Sequence, residues 1–464
     1  MFDLLESALV GGDFLELRYH DRRSRSVTVE DGRVEGARST RHAGIGVRAL
    51  VNGAWGFAST SVLTKAALAR AVDDARAAAR SAARNKRERV DFLPPVHLAN
   101  GRFQSEAIRP LEAMSFEEKI EKVLEADRLA KSASSKINSS SARYVELIDE
   151  KMVLTSDGAR AHLLDTKPEF RVTAVAGING ELQRHTEAEG RTGGFGDLFA
   201  KRSAEEMAEH AAKIATDLLQ AGYVEGGRKT VILAPDVVGL LIHEAIGHTV
   251  EADFVLSGSA AAGKLGQTVA SELVTLGDTG ISEYESGAGG VVLVDDEGIQ
   301  TQRTTIIENG VLKSYLHNRE TAERFGVEPT GNARAFEFDN EPLIRMRNTF
   351  VEPGDSSLEQ MIADTQDGFL LAGAKNGQAD SNAEFMFAVA QVYPIRNGKL
   401  GALHRGTTIT GNAFDVLKSV DRVGDRFRWD LGSGYCGKGQ PAKVDAGGPH
   451  LRCAVTLAGK EAPE

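Results

Sequence analysis

From Val237 onward the chain reads Val-Val-Gly-Leu-Leu-Ile-His-Glu-Ala-Ile-Gly-His, an apolar run interrupted by His243, Glu244 and His248. An apolar run of this kind belongs in a protein interior. Ionisable groups are costly there unless they are paired, hydrogen-bonded or bound to a metal. The three ionisable groups in one short window suggest a buried element that carries a site. Residues 230–234 read as a buried strand leading into it, and Pro235-Asp236 starts a helix with Asp236 as the expected N-cap. On a regular α-helix, residues five apart diverge by about 140° after one full turn. His243 and His248 would then point apart. A π-turn absorbs one extra residue and returns both rings to one face, and such turns concentrate at functional sites. The distortion is expected between Glu244 and His248, with Gly247 as the position where a break costs least.

The order His-Glu-x-x-x-His is one residue longer than His-Glu-x-x-His, the motif in which two imidazoles hold zinc and the glutamate acts as general base. The competing interpretation is a pair of core histidines bonded to backbone, with Glu244 turned to solvent. A catalytic zinc needs a third protein ligand and an open position. Glu251, Asp253, His317, His404, Cys436 and Cys453 are the candidates. Glu251 lies closest in sequence. Cys436 is flanked by glycines that free the backbone to aim a thiolate, and Lys438 nearby favours the charged form. Cys453, in an apolar run, reads as a small buried strand residue. These residues favour Cys436 over Glu251 only narrowly and leave the others open.

With 464 residues the chain can hold two or three domains with large cores, and its 41% hydrophobic and 26% charged content is that of a globular protein. A net charge of -11 argues against a broad nucleic-acid surface. The one basic cluster, at residues 84–89, precedes Pro94-Pro95 and reads as a solvated helix end running into a linker. No apolar run reaches the length of a membrane span, and the acidic N-terminus does not read as a secretory signal. Two cysteines alone suggest a reducing compartment, so a cytoplasmic location is expected.

Residues 14–19, 26–30 and 45–50 alternate as strands, with Asp31-Gly32 and Asn52-Gly53 as hairpin turns. Residues 64–83 should form a helix, and 84–114 an irregular connector. Ser115 with Glu118 predicts a capping box opening a helix to about Lys131. Strands over 137–186, turning at Asp157-Gly158 and Asn179-Gly180, precede a helix from Ser203 to about Leu219. The glycine-rich stretch 190–196 reads as a surface loop or, less readily, a lid. The fold class is α+β in two domains. An N-terminal domain (1–225) mixes antiparallel strands and helices, and a β-rich C-terminal domain (226–464) is entered through the metal-binding helix. In that second domain, 291–296, 385–390 and 454–457 are the clearest strands, with helices near 318–325 and 358–364.

The run His243-Glu244-Ala245-Ile246-Gly247-His248-Thr249-Val250-Glu251-Ala252-Asp253-Phe254 and the distant Gly434-Tyr435-Cys436-Gly437-Lys438-Gly439-Gln440 resemble the TldD/PmbA family of zinc metallopeptidases, in its TldD branch. Weaker support comes from Gly44-Ile45-Gly46-Val47-Arg48, Thr330-Gly331-Asn332-Ala333-Arg334 and Asn348-Thr349-Phe350-Val351-Glu352-Pro353-Gly354. The likeness runs from near Glu16 to the C-terminus. It implies that His243, His248 and Cys436 bind Zn2+ and that Glu244 activates water. It also implies a peptide substrate, and a homodimer or a heterodimer with an inactive PmbA-type relative. The family's other label, modulator of DNA gyrase, has no chemical support in so acidic a chain, and direct nucleic-acid contact is not expected. Cys453 departs from the more polar strand residue usual at its place.

On this reading Glu244 takes a proton from water as it attacks a metal-polarised peptide carbonyl. His317, Tyr435 and His404 are candidates to steady the oxyanion, and a β-rich domain could bind an extended peptide by strand addition. Two rivals remain. Gly258-Ser259-Ala260-Ala261-Ala262-Gly263-Lys264-Leu265 nearly matches a P-loop, but Leu265 stands where a magnesium-binding hydroxyl is needed, and a flexible loop beside the site is preferred. The other is an adaptor protein with a structural zinc, which would require four protein ligands.

Overall fold

A computed structural model describes residues 1–86, 89–90, 97–105 and 108–459. The N-terminal part is built on one seven-stranded sheet with the order β3-β2-β1-β5-β6-β4, and β7 pairs with a further stretch of β6. These strands are β1 (Phe14–Glu30), β2 (Arg33–Val51), β3 (Ala54–Thr60), β4 (Asn100–Gln104), β5 (Ile137–Thr155), β6 (Arg160–Ile178) and β7 (Glu181–Gly190). The short segments 14–19 and 26–30 are the two ends of one unbroken strand. Their hairpins turn where expected: Asp31, Asn52 and Asn179 adopt positive φ, each followed by a positive-φ glycine. That pairing is the residue chemistry of a tight hairpin turn.

Three long helices lie where the sequence placed them, the second opened by the expected capping box. Thr64 caps Lys65–Ala83, and capping boxes Ser115/Glu118 and Ser203/Glu206 open Phe116–Ser132 and Ala204–Leu218. The connector after residue 84 is less irregular than expected: β4 pairs in parallel with β6, and Ile108–Glu112 is a helical turn. Asn-Gly-Arg-Phe-Gln shows no apolar alternation because most of this edge strand is exposed and Phe103 alone packs inward, against Ala161 and Val294. In the basic cluster, Arg84 and Asn85 are exposed and Lys86 pairs with Glu320; Pro94-Pro95 lies outside the described residues.

The C-terminal part is mixed and β-rich, in keeping with the α+β class. β8 (Gly227–Leu233) lies between Asp367–Ala379, parallel to it, and Leu451–Leu457, antiparallel. A second sheet centres on Leu276–Thr279, Asn348–Val351 and Asp445–Gly448. One continuous core holds Val231, Leu233, Val237, Leu241, Ile242, Ile246, Phe369, Phe387 and Val455. The helical segment after β8 is therefore buried by residues of both sheets, and its apolar run is explained by that packing.

Two sequence expectations fail here. Residues 291–296 make no strand. Val294 forms only an isolated bridge with Gln300, because Asp295 and Asp296 are engaged otherwise. Asp295 accepts from the backbone of Glu297, Ile299 and Ala333, and Asp296 pairs with Lys151 of β5. The stretch 190–196 is neither lid nor surface loop. It is largely buried: residues 190–192 lie against the C-terminal part, Phe195 packs on Tyr144 and Phe199, and a side chain on Gly190 would meet the Gly432 carbonyl at 2.2 Å. Glycine serves close backbone approach there rather than mobility.

Candidate metal centre

Pro235–Leu241 is α-helical, with Pro235 in the first turn, where a missing N–H is harmless. Ala234, not Asp236, occupies the N-cap. Asp236 instead accepts a 2.6 Å bond from the backbone N–H of Ala374, tying the helix start to the neighbouring strand. Ile242–Gly247 then forms one turn of π-helix, and His248–Val250 tightens to a 3-10 turn. The extra residue between the histidines is absorbed as the spacing predicts, although the π-turn begins two residues before Glu244. Gly247 keeps ordinary helical angles (φ -55, ψ -48). Its role is clearance: a Cβ there would lie 1.9 Å from the Met346 sulfur.

The π-turn brings the His243 and His248 rings to 5.4 Å, nearly perpendicular. The two-stranded hairpin Tyr435–Gly437/Pro441–Lys443 delivers Cys436, whose Sγ lies 3.1 Å from His248 Nε2. Arg345, fully buried, holds that hairpin by donating to the carbonyls of Cys436 (2.5 Å) and Gln440 (2.7 Å). One donor atom from each of His243, His248 and Cys436 lies within 4.8 Å of the others. His243 is 3% exposed, and apart from the Cys436 sulfur neither ring nitrogen meets a hydrogen-bond partner among the described residues. Buried imidazoles rarely go unsatisfied, so a further group belongs beside it. Two imidazoles and a thiolate suit zinc, and three protein donors leave a position for water or substrate.

The local charges agree. Burial alone would push the Cys436 thiol up, but the His243 and His248 imidazoles outweigh it and bring the thiol down to about 4. Burial likewise opposes charge on His248, yet Glu251 and the Cys436 sulfur raise it to about 10. Both shifts favour a thiolate beside a protonated imidazole, and a divalent cation can displace those protons. Glu244 stands at the rim, partly exposed, with Oε2 3.9 Å from His248 Nε2.

Glu251 lies outside the converging donors. Its Oε2 accepts from His248 Nδ1 at 3.0 Å and from Lys438 Nζ at 3.0 Å. It orients the ring and leaves Nε2 facing Cys436, the usual arrangement behind a metal-binding histidine. Burial would raise its carboxyl, but His248 and Lys438 hold it low. Lys438 therefore acts through Glu251 and Asp253 (2.8 Å) rather than on the thiolate directly. The three-residue step from His248 to Glu251 was a signal of proximity, but sequence could not say which shell Glu251 occupies.

The remaining candidates lie elsewhere. Asp253 is taken by Lys438. His317 is buried against Tyr315 and Phe325 and bonded to Thr321. His404 bonds the Ala402 carbonyl, near Gly222. Tyr435, next to Cys436 on its strand, packs against Lys443. Cys453 is a buried strand residue paired opposite Val231, its thiol pushed up to about 12 by burial. Residues 258–265 turn without a strand-loop-helix context, and Lys264 lies over the Phe414 ring.

The chain matches, in three consecutive parts, the models of one metallopeptidase family. Residues 15–79 match PmbA/TldA metallopeptidase domain 1, 109–219 the central domain, and 226–459 the C-terminal domain. The chain belongs to this TldD/PmbA metallopeptidase family. It is 35% identical to a metalloprotease of Methanocaldococcus jannaschii over 98% of both chains. It is 28% identical to a zinc metalloprotease TldD homolog of Saccharolobus solfataricus, over 97% of this chain and 98% of that one. The fold is similar to that of TldE from Thermococcus kodakarensis, with a TM-score of 0.78, 19% identity, and 96% and 97% of the two chains covered. A Thermotoga maritima protein described as a proposed modulator of a DNA gyrase gives a TM-score of 0.80 at 21% identity, with 98% and 99% covered.

Proposed function

We propose that the chain is a zinc-dependent peptidase of the TldD branch that hydrolyses short or unfolded peptides. His243, His248 and Cys436 would hold Zn2+. When bound, the metal supplies Lewis acidity, polarising a peptide carbonyl and acidifying water. Glu244 takes the proton of the attacking water on its carboxylate and returns it to the leaving amine. Glu251 keeps the His248 ring in one tautomer, and the buried surroundings of His243 exclude bulk water from that side.

The observation that carries this reading is the convergence of three metal-type donors around a buried histidine with no other partner. The metalloprotease names of the relatives support the same class. Glu251, engaged by His248 and Lys438, is not a fourth donor, which favours a catalytic over a structural zinc. The test is paired. Glu244→Gln is expected to keep zinc and to lose about 10²- to 10⁴-fold in peptide cleavage. Cys436→Ser is expected to lose the zinc held with His243 and His248. Normal cleavage by the first variant would defeat the hydrolase mechanism, and full zinc in the second would put the third ligand elsewhere.

The proposal extends to the assembly. A homodimer, or a heterodimer with a PmbA-type relative, fits the likeness to TldE. A division into units 1–225 and 226–464 fits the sheets, none of which mixes strands from both sides of that point. No helix among the described residues is long and apolar enough to cross a membrane, and both cysteines are free thiols, in keeping with a cytoplasmic location.

A further inference from the structure

A second set of ligand-type side chains converges on the central part of the chain. Strand β7 places His185, Glu187 and Glu189 on its buried face, two residues apart along the strand. The helix Ala204–Leu218 packs over that strand and contributes His210. One oxygen, Glu187 Oε1, lies 2.8 Å from His185 Nε2 and 2.8 Å from His210 Nδ1. The rings are 6.0 Å apart and nearly perpendicular. Arg202 Nη1 takes the other oxygen, Oε2, at 2.6 Å. The three donor atoms lie within 4.8 Å of one another.

A carboxylate only accepts, so both nitrogens must carry a proton toward Glu187 in this arrangement. Arg202 pairs the other oxygen, so the carboxylate alone is the meeting point of both imidazoles. The same N, N, O set can instead close on a divalent cation, which takes the place of those protons. Arg202 would remain on Oε2 and orient the carboxylate from behind. The His210 side chain is 43% exposed, providing an entry path and room for a water at the open position. Two imidazoles and one carboxylate suit Zn2+.

We propose that His185, Glu187 and His210 form a second Zn2+ site, independent of the His243/His248/Cys436 cluster and carried on different elements. Its consequence is mechanical. Among the described residues β7 pairs only with β6, and it leads directly into residues 190–192, which lie against the C-terminal part. A cation bridging β7 to the helix Ala204–Leu218 staples that edge strand and steadies the joint.

The test uses the full chain, stripped of metal and equilibrated by dialysis against buffered Zn2+, with metal counted per chain. Wild type is expected to take up two equivalents, and His210→Ala and Cys436→Ser one each. The double variant should take up none. His210 is chosen because it is half exposed and its loss should leave the fold intact. As a second readout, Zn2+ should raise the Tm of Cys436→Ser and leave that of Cys436→Ser/His210→Ala unchanged. Uptake by the double variant equal to that of Cys436→Ser overturns the second site. One equivalent lost in His210→Ala but kept in Cys436→Ser would uphold this site and refute the first.

Discussion

Glu251→Gln isolates the part played by the residue behind the metal cluster. Glu251 is fully buried, and its Oε2 is shared between His248 Nδ1 and Lys438 Nζ, while Oε1 has no partner among the described residues. Glutamine keeps the volume and can place its carbonyl oxygen at the shared position. It loses the charge and sets an amide N–H2 where no acceptor stands, a cost of about 1–3 kcal/mol. Lys438 keeps Asp253 at 2.8 Å, so it is not left unpaired and the fold should survive. The effect on the metal follows from His248. Without a carboxylate behind it the ring is less basic and less firmly oriented, and the loss of such a partner typically weakens metal affinity about 10- to 100-fold. The assay is competition for Zn2+ against a chelator of known affinity, with thermal unfolding measured in parallel. At saturating zinc, peptide cleavage should largely return, which Glu244→Gln cannot achieve. Unchanged zinc affinity in a folded Glu251→Gln protein would refute the reasoning.

Two further outcomes test the packing at the site and the titration of a buried histidine away from it. Gly247→Ala forces a methyl group into the space of the Met346 sulfur, which is fully buried and cannot swing out, so about 1–3 kcal/mol of stability should be lost in urea titration. That loss should shrink when measured on a Met346→Val background, because the two positions share one space. His317 is lowered from 6.5 to about 4 by burial. The folded state therefore binds this proton less readily than the unfolded chain. The contribution is fully present above about pH 6.5 and is lost as pH falls toward 4, by at most about 3 kcal/mol. His317→Gln should flatten the stability profile over that window, and an unchanged slope would show that other groups govern it.

What could be read from the chain before folding was what local geometry determines. The five-residue spacing of His243 and His248 in an apolar run conflicts with 3.6 residues per turn, and the conflict has one inexpensive solution, the π-turn at Ile242–Gly247. Ser115/Glu118 and Ser203/Glu206 close their capping boxes within four residues, and the Asn-Gly and Asp-Gly turns act within two. What tertiary structure decided depends on distant segments meeting. Cys436 reaches His248 from 188 residues away because Arg345 holds its hairpin, and no spacing rule relates those three positions. Glu251 could have been a ligand or a ring-orienting partner until Lys438 arrived beside it. Gly190 and Gly247 looked like points of freedom but are points of contact, since the atoms that crowd them belong to Gly432 and Met346. Asp295 and Asp296 turned a valine-rich run into a bridging loop by bonding to backbone and to Lys151. Short-range rules follow from bond geometry and sterics, which each residue carries with it. Long-range contacts follow from the burial of a shared core, and that is a property of the whole folded chain.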